Sequence, residues 1–100
     1  MITIAVLGAS GYSGSECVRL LQHHQHINIK HLFADRCAGQ STRSFFGIHN
    51  DLPDQFEKFE PKTDYHIDCL IIALPHKTVH KIMADIARKS YKVIDLSADF

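Results

Sequence analysis

The stretch Val6-Leu7-Gly8-Ala9-Ser10-Gly11-Tyr12-Ser13-Gly14 decides the fold. It follows a short apolar run at residues 2–7, whose lack of polar alternation is typical of a strand buried on both faces. Residues 13–24 then place apolar side chains at helical spacing. The helix face that we expect to be buried consists of Cys17, Leu20, Leu21 and His24. A strand, a glycine-rich turn and a helix in this order predict the first unit of a parallel α/β sheet.

The glycines of this turn also indicate a binding site. Their spacing is GxxGxxG, with Ala9 where nucleotide-binding turns more often have their first glycine. A side chain at Gly11 would block a diphosphate, and Gly14 lets the helix pack close to the strand. The free N–H groups and dipole of the helix favour an anion, and Ser10 and Ser13 add hydroxyl donors. We predict dinucleotide binding here; the alternative is a tight turn that binds nothing.

The rest of the chain continues the alternation of strands and helices. Turn-forming residues predict mostly loop at 35–55, and residues 56–60 are expected to form a short edge strand. Further strands are expected at 27–34, 68–74 and 92–96, and a second helix at 77–90. The core-facing stripe of that helix consists of Val79, Ile82, Met83, Ile86 and Ala87. The predicted fold is a Rossmann-like α/β parallel sheet with flanking helices. It has fewer strands than the six or so of a complete doubly wound domain, so we expect a fragment of a longer chain.

Composition narrows the function classes. The chain has 100 residues, with eleven basic and eleven acidic side chains and a formal net charge of zero. It has no basic patch typical of nucleic-acid binding and no apolar run near the ~20 residues that span a bilayer, so we expect neither nucleic acid nor membrane as a partner. Three cysteines without a CxxC pair favour a reducing compartment. Together with an N-terminus unlike a signal peptide, they predict a cytoplasmic protein.

The end of the second expected strand carries two opposite signals about the cofactor. In nucleotide-binding sheets an acid about 20 residues past the turn binds the ribose hydroxyl of NAD, whereas an arginine nearby binds the 2′-phosphate of NADP. Asp35 and Arg36 stand side by side at this position. Spacing alone leaves the choice open, and both could also be solvated loop charges.

Three motifs in the same order resemble the N-acetyl-gamma-glutamyl-phosphate reductases of arginine biosynthesis. They are the glycine stretch from Val6 to Gly14, Ala73-Leu74-Pro75-His76, and Val93-Ile94-Asp95-Leu96-Ser97-Ala98-Asp99-Phe100. The resemblance implies an NADP-dependent reductase that converts an acyl phosphate to an aldehyde through a cysteine thioester and releases phosphate. The chain resembles only the N-terminal part of such an enzyme. Residues 1–100 would form its NAD(P)-binding domain, with the catalytic and substrate domain absent from this chain.

The resemblance also implies roles for individual residues. Gly8 and the run Ser10, Gly11, Tyr12, Ser13 and Gly14 would hold the cofactor diphosphate. Arg36, with Ala38 and Gly39, would face the 2′-phosphate. Leu74, Pro75 and His76 would line the cofactor, and Ser97 would lie on the nicotinamide side. The family more often has a small polar residue where this chain has Asp35, and a carboxylate there would repel a 2′-phosphate unless it turns away. NADP remains the favoured cofactor.

No catalytic residue is assigned, because the family's nucleophile and assisting histidine lie beyond this stretch. Cys17, Cys37 and Cys69 do not match the nucleophile motif. The small-molecule acyl-phosphate substrate would bind through the missing part, and the full-length protein is expected to be a homo-oligomer. His76 and His80, four residues apart, have no evident third partner, so no metal site is predicted.

Three other interpretations stay open. The first is an aspartate-semialdehyde dehydrogenase, which uses similar acyl-phosphate chemistry and has a comparable glycine turn. The second is a dinucleotide-binding module without catalysis. The third is a histidine-rich metal carrier, whose stability would depend on zinc.

Overall fold

The computed structural model describes residues 1–47, 49 and 51–96. Its parallel strands are β1 (Ile2–Leu7), β2 (Ile27–Phe33), β3 (Cys69–Ile72) and β4 (Lys92–Asp95). Helix α1 (Tyr12–Leu21) joins β1 to β2, and the long connection from β2 to β3 contains a 3-10 helix (Asp35–Cys37) and the short α2 (Arg43–Phe46). Helix α3 (His76–Ile86) joins β3 to β4. The predicted Rossmann-like α/β fold is confirmed.

The strand order creates a crevice at one edge of the sheet. The strands lie in the order β2-β1-β3-β4, so the chain moves from β1 to one side and returns to the other. The loops that follow β1 and β3 therefore diverge at their carboxyl ends. Open α/β sheets bind ligands at such a switch point.

Strand β1 is buried on both faces, as its continuous apolar sequence predicted. One face packs with α1, in a cluster that includes Ile4, Val6, Val18 and Ile71. The other packs with α3, in a cluster that includes Ala5, Leu7, Leu70, Val79 and Ile86. The two helices therefore cover opposite faces of the sheet and bring their N-termini to the same edge.

Helix α1 is shorter than predicted, and its buried face is different. It ends at Leu21 rather than at residue 24, because the next amide bonds are the shorter i→i+3 type: the His24 N–H donates to the Leu21 carbonyl, and the Ile27 N–H donates to the His24 carbonyl in the turn into β2. Val18 is fully buried, whereas Leu20 is 77% exposed. The predicted inclusion of Leu20 and His24 in the core face is wrong, since the helix packs through the side that carries Val18.

Other boundaries differ by a few residues. Strand β3 is shorter than 68–74, and α3 ends four residues before 90, with Ala87 exposed rather than in the core stripe. Residues 56–60 form no edge strand; Glu57 makes one parallel bridge to Phe33 instead. Helix α2 was not predicted in the segment expected to be loop. Among the described residues, no helix is both long enough and apolar enough to cross a membrane.

Candidate functional site

The turn after β1 is tied tightly to its neighbours. The N–H groups of Gly8 and Ala9 both donate to the Phe33 carbonyl, at 2.9 and 3.0 Å. Gly8 has a φ of +86°, and a Cβ there would lie 2.6 Å from the Ala73 carbonyl oxygen. Only glycine fits both the backbone conformation and this close approach of β1 to the residue after β3.

The other two glycines of the turn serve different purposes. A Cβ at Gly14 would lie 2.0 Å from the Gly8 carbonyl oxygen, so this glycine lets α1 pack against the preceding turn rather than against the strand itself. A Cβ at Gly11 would meet nothing closer than that oxygen, at an ordinary 3.4 Å. Gly11 has a φ of −77°, which any residue adopts. Packing therefore explains Gly8 and Gly14 but leaves the bare backbone at Gly11 without a structural reason.

The N-terminus of α1 opens beside this bare backbone. Gly11 is its N-cap residue, and no side chain caps it. The first intrahelical acceptor is the Gly11 carbonyl, which takes the Ser15 N–H at 2.8 Å. The amides before Ser15 thus have no carbonyl one turn behind them within the helix. Such amides, with the helix dipole, favour an anion.

A cleft of about 450 Å³ lies between the turns that follow β1, β2 and β3. It brings together six of the predicted site residues, namely Gly8, Ser10, Gly11, Arg36, Leu74 and Pro75. It is also lined by Asp35 and by four residues that the sequence analysis missed: Leu7, Ala34, Ala73 and Thr78. Leu7 ends β1, Ala34 and Ala73 directly follow β2 and β3, and Thr78 lies in the first turn of α3. The rule that ligands bind at the carboxyl ends of parallel strands could have identified them.

The remaining predicted residues are not among those that line the cleft. Gly14 is buried behind the turn, and Tyr12 is 86% exposed. Ser13, Ala38 and Gly39 are exposed. His76 begins α3, and Ser97 lies outside the described residues.

The two oppositely charged side chains that follow β2 differ in their contacts. Asp35 Oδ1 accepts a hydrogen bond from the Phe59 N–H at 3.3 Å. Arg36 is exposed and has no salt bridge to another described residue. The carboxylate therefore has a partner within the protein, whereas the guanidinium is open to an anion from outside.

Cys17 and Cys69 are not among the residues that line this cleft. Burial raises the pKa of the Cys17 and Cys69 thiols, which keeps them protonated and weakly nucleophilic at neutral pH. Both pack against the core cluster beneath α1.

Other hollows lie away from the switch point. The larger, of about 800 Å³, is lined mostly by apolar side chains of β1, β3 and β4. Another, of about 390 Å³, includes His23 and His24 in the turn after α1. The described residues contain no group of three or more His, Cys, Asp or Glu side chains placed to hold a metal ion. The cleft at the switch point is smaller than the apolar groove, but it combines uncapped amides, a cation and a glycine that packing does not require.

Comparisons with known proteins identify the family of the chain. A family model described as semialdehyde dehydrogenase, NAD binding domain, matches residues 3–100. The N-acetyl-gamma-glutamyl-phosphate reductase of Cereibacter sphaeroides is 44% identical over 99 residues, which are 97% of this chain and 28% of that protein. The probable chloroplastic N-acetyl-gamma-glutamyl-phosphate reductase of Oryza sativa subsp. japonica is 42% identical over 101 residues, covering 99% of this chain and 24% of that protein. The resemblance predicted from the three motifs is confirmed.

A solved structure supports the fold. The crystal structure of aspartate semialdehyde dehydrogenase with NADP from Candida albicans superposes with a TM-score of 0.79 at 21% identity. The match covers 97% of this chain and 30% of that one. The present chain thus spans about a quarter of the length of the curated relatives quoted above.

Proposed function

Because the chain belongs to the family of semialdehyde dehydrogenase NAD-binding domains, we propose that it is the NADPH-binding part of an N-acetyl-gamma-glutamyl-phosphate reductase. The observation that carries this proposal is Gly11. Its missing side chain serves no packing purpose, yet it leaves open backbone beside the uncapped amides of α1. A diphosphate is the group that such a surface fits.

The proposal assigns tasks to this chain's own residues. The turn from Gly8 to Gly14 holds the diphosphate, with Ser10 in the cleft as an additional donor. Arg36 binds the 2′-phosphate, because its planar, permanently charged fork donates two hydrogen bonds. Leu74 and Pro75 line the part of the cleft beside β3. When bound, NADPH supplies a hydride for reduction of the acyl group.

The same proposal extends to the longer protein. The reductase would take an acyl phosphate and release phosphate, with its nucleophile and substrate groups outside these 100 residues. We place the protein in the cytoplasm, where its three free cysteines would stay reduced, and expect a homo-oligomer. These 100 residues alone should then show no NADPH oxidation with an acyl phosphate; measurable turnover would place the nucleophile within them.

Cofactor titration tests the binding role. Isothermal calorimetry with NADPH and NADH is carried out on the unchanged protein and on Arg36→Ala. A hydrogen bond to a charged group is worth roughly 1.5–3 kcal/mol, so NADPH affinity should fall by about 10- to 150-fold while NADH affinity changes little. Arg88→Ala removes an exposed arginine beyond the far end of α3 and is the matched control. Binding of neither cofactor by the unchanged protein would refute the proposal.

A further inference from the structure

The Asp35 carboxylate is engaged by the protein's own backbone. Its Oδ1 accepts the Phe59 N–H at 3.3 Å. Phe59 is buried, and its ring packs edge-on against Phe33 with the centroids 5.0 Å apart. The core therefore fixes the position of the amide that orients this carboxylate, beside the exposed Arg36 at the same edge of the cleft.

The segment that contains Phe59 also holds the other end of the turn around Arg36. We name this segment, residues 56–59, the bracket segment. The Gly39 N–H donates to the Phe56 carbonyl at 2.8 Å, and a φ of +86° at Gly39 lets the chain bend back toward it. Next to Phe56, the Glu57 carbonyl accepts the Ala34 N–H at 2.9 Å. The bracket segment thus binds the chain before and after Arg36.

A side-chain contact fastens the bracket segment to β2 as well. Glu57 Oε2 lies 2.6 Å from His31 Nδ1, and the His31 ring stacks on Phe33 at 5.3 Å. The Glu57 N–H donates to the Leu32 carbonyl at 2.9 Å. The segment therefore moves with the strand rather than as a separate loop.

We infer that the bracket segment, acting through Asp35 and Gly39, sets the preference for a dinucleotide with a 2′-phosphate; the inference rests on the proposed function. Asp35 is a positioning residue. The Phe59 N–H binds its Oδ1 and so orients the carboxylate toward the bracket segment rather than toward a ribose hydroxyl. The same bond keeps the turn in the form that presents Arg36 to the cleft.

Two substitutions at Asp35 distinguish a role in positioning Arg36 from direct contact with the ribose of the cofactor. Asp35→Asn keeps an oxygen that can accept the Phe59 N–H, whereas Asp35→Ala removes it. We expect Asn to retain the ratio of NADPH to NADH affinity, or to increase it. Ala should lower that ratio about fivefold, the equivalent of one ordinary hydrogen bond. If Asp35 contacted the ribose directly, both variants would weaken NADH binding and would favour NADPH alike.

Amide exchange followed by NMR supplies a readout that needs no cofactor. The Phe59 amide should exchange slowly in the unchanged protein and in Asp35→Asn, and faster in Asp35→Ala. Asp54→Ala, which removes another exposed carboxylate, is the control and should leave both readouts unchanged. An unaltered affinity ratio or unaltered Phe59 exchange in Asp35→Ala overturns the inference while the proposed function stands. Failure of the unchanged protein to bind either cofactor overturns both.

Discussion

Alanine substitutions at Gly14 and Gly11, two glycines of the same turn, should produce different defects. The first should lower stability and the second should weaken NADPH binding. In Gly14→Ala, the new Cβ would lie 2.0 Å from the Gly8 carbonyl oxygen. Ordinary contact begins near 3.4 Å, so helix and turn must separate by about 1.4 Å. The obstacle is backbone and cannot rotate away. In Gly11→Ala, the same oxygen is already at 3.4 Å, and the φ of −77° suits alanine.

The magnitudes follow from these distances. Overpacking costs roughly 1–3 kcal/mol, and a backbone overlap of this depth belongs at the upper end. Alanine returns about 1 kcal/mol of helix propensity at position 14, which leaves a net loss of about 2 kcal/mol. For a chain of this size that corresponds to a Tm lower by about 8–16 °C. Gly11→Ala should lower the free energy of unfolding by no more than about 1 kcal/mol, because alanine is a poorer N-cap than glycine but also restricts the unfolded chain.

Thermal unfolding by circular dichroism and NADPH titration by fluorescence form the assay. Gly14→Ala should lose stability. Gly11→Ala should lose less Tm than Gly14→Ala yet bind NADPH at least about tenfold more weakly, because its methyl group occupies the open backbone that the diphosphate would approach. Each variant is the control for the other. Equal loss of Tm in both, or unchanged NADPH binding in Gly11→Ala, would refute the separation of packing from binding in this turn.

Three further predictions concern stability. The Tyr91 hydroxyl is buried with no partner among the described residues, and burial raises its pKa to about 12. Tyr91→Phe should therefore keep or raise the Tm. Between about pH 10 and 12 the unchanged protein should lose stability, because Tyr91 ionises first in the unfolded chain, and Tyr91→Phe should reduce that loss. Hydrogen bonds from the backbone and hydroxyl of Ser90 hold the pKa of the Asp64 carboxyl below its usual range; its stabilisation is present above about pH 4 and is lost as the pH falls, so acid titration of Asp64→Ala should converge with that of the unchanged protein. Phe33 is fully buried between aromatic rings, and urea unfolding of Phe33→Ala should reveal a loss of about 3–5 kcal/mol; a loss below 1 kcal/mol would contradict this view of the core.

The sequence predicted the parts of the fold that depend on local patterns. The continuous apolar run of β1 and the glycine turn after it identified the first unit, and the run before Pro75 located β3. Helix ends were less accurate: α1 ends at Leu21, and residues 22–26 form a turn in which the Ile27 N–H donates to the His24 carbonyl. Periodicity also misplaced Leu20, since a face that looks apolar on a helical wheel is buried only if the sheet lies beneath it.

Short elements within the long connection escaped prediction for a different reason. Helix α2 has only four residues, too few for a periodic pattern, and its aromatic rings pack on a distant residue: Phe45 and Phe46 lie 5.7 and 6.0 Å from the ring of Phe56. Such a helix is stabilised by tertiary packing rather than by its own sequence. The buried Phe56 likewise belongs to a segment that makes a bridge and not a strand.

The two charged residues after β2 show most clearly what a local sequence pattern cannot predict. Asp35 and Arg36 are adjacent, so no spacing rule can rank them, and the contact that distinguishes them joins residues 24 positions apart. The Phe59 N–H orients the Asp35 carboxylate, whereas the Arg36 guanidinium makes no salt bridge to another described residue. In the inference above, cofactor preference depends on residues 56–59, which contain neither a glycine motif nor an arginine. An arginine introduced at the corresponding position of an NAD-specific relative whose turn lacks these contacts should therefore transfer little preference for NADPH, and titration of that variant with NADPH and NADH measures this.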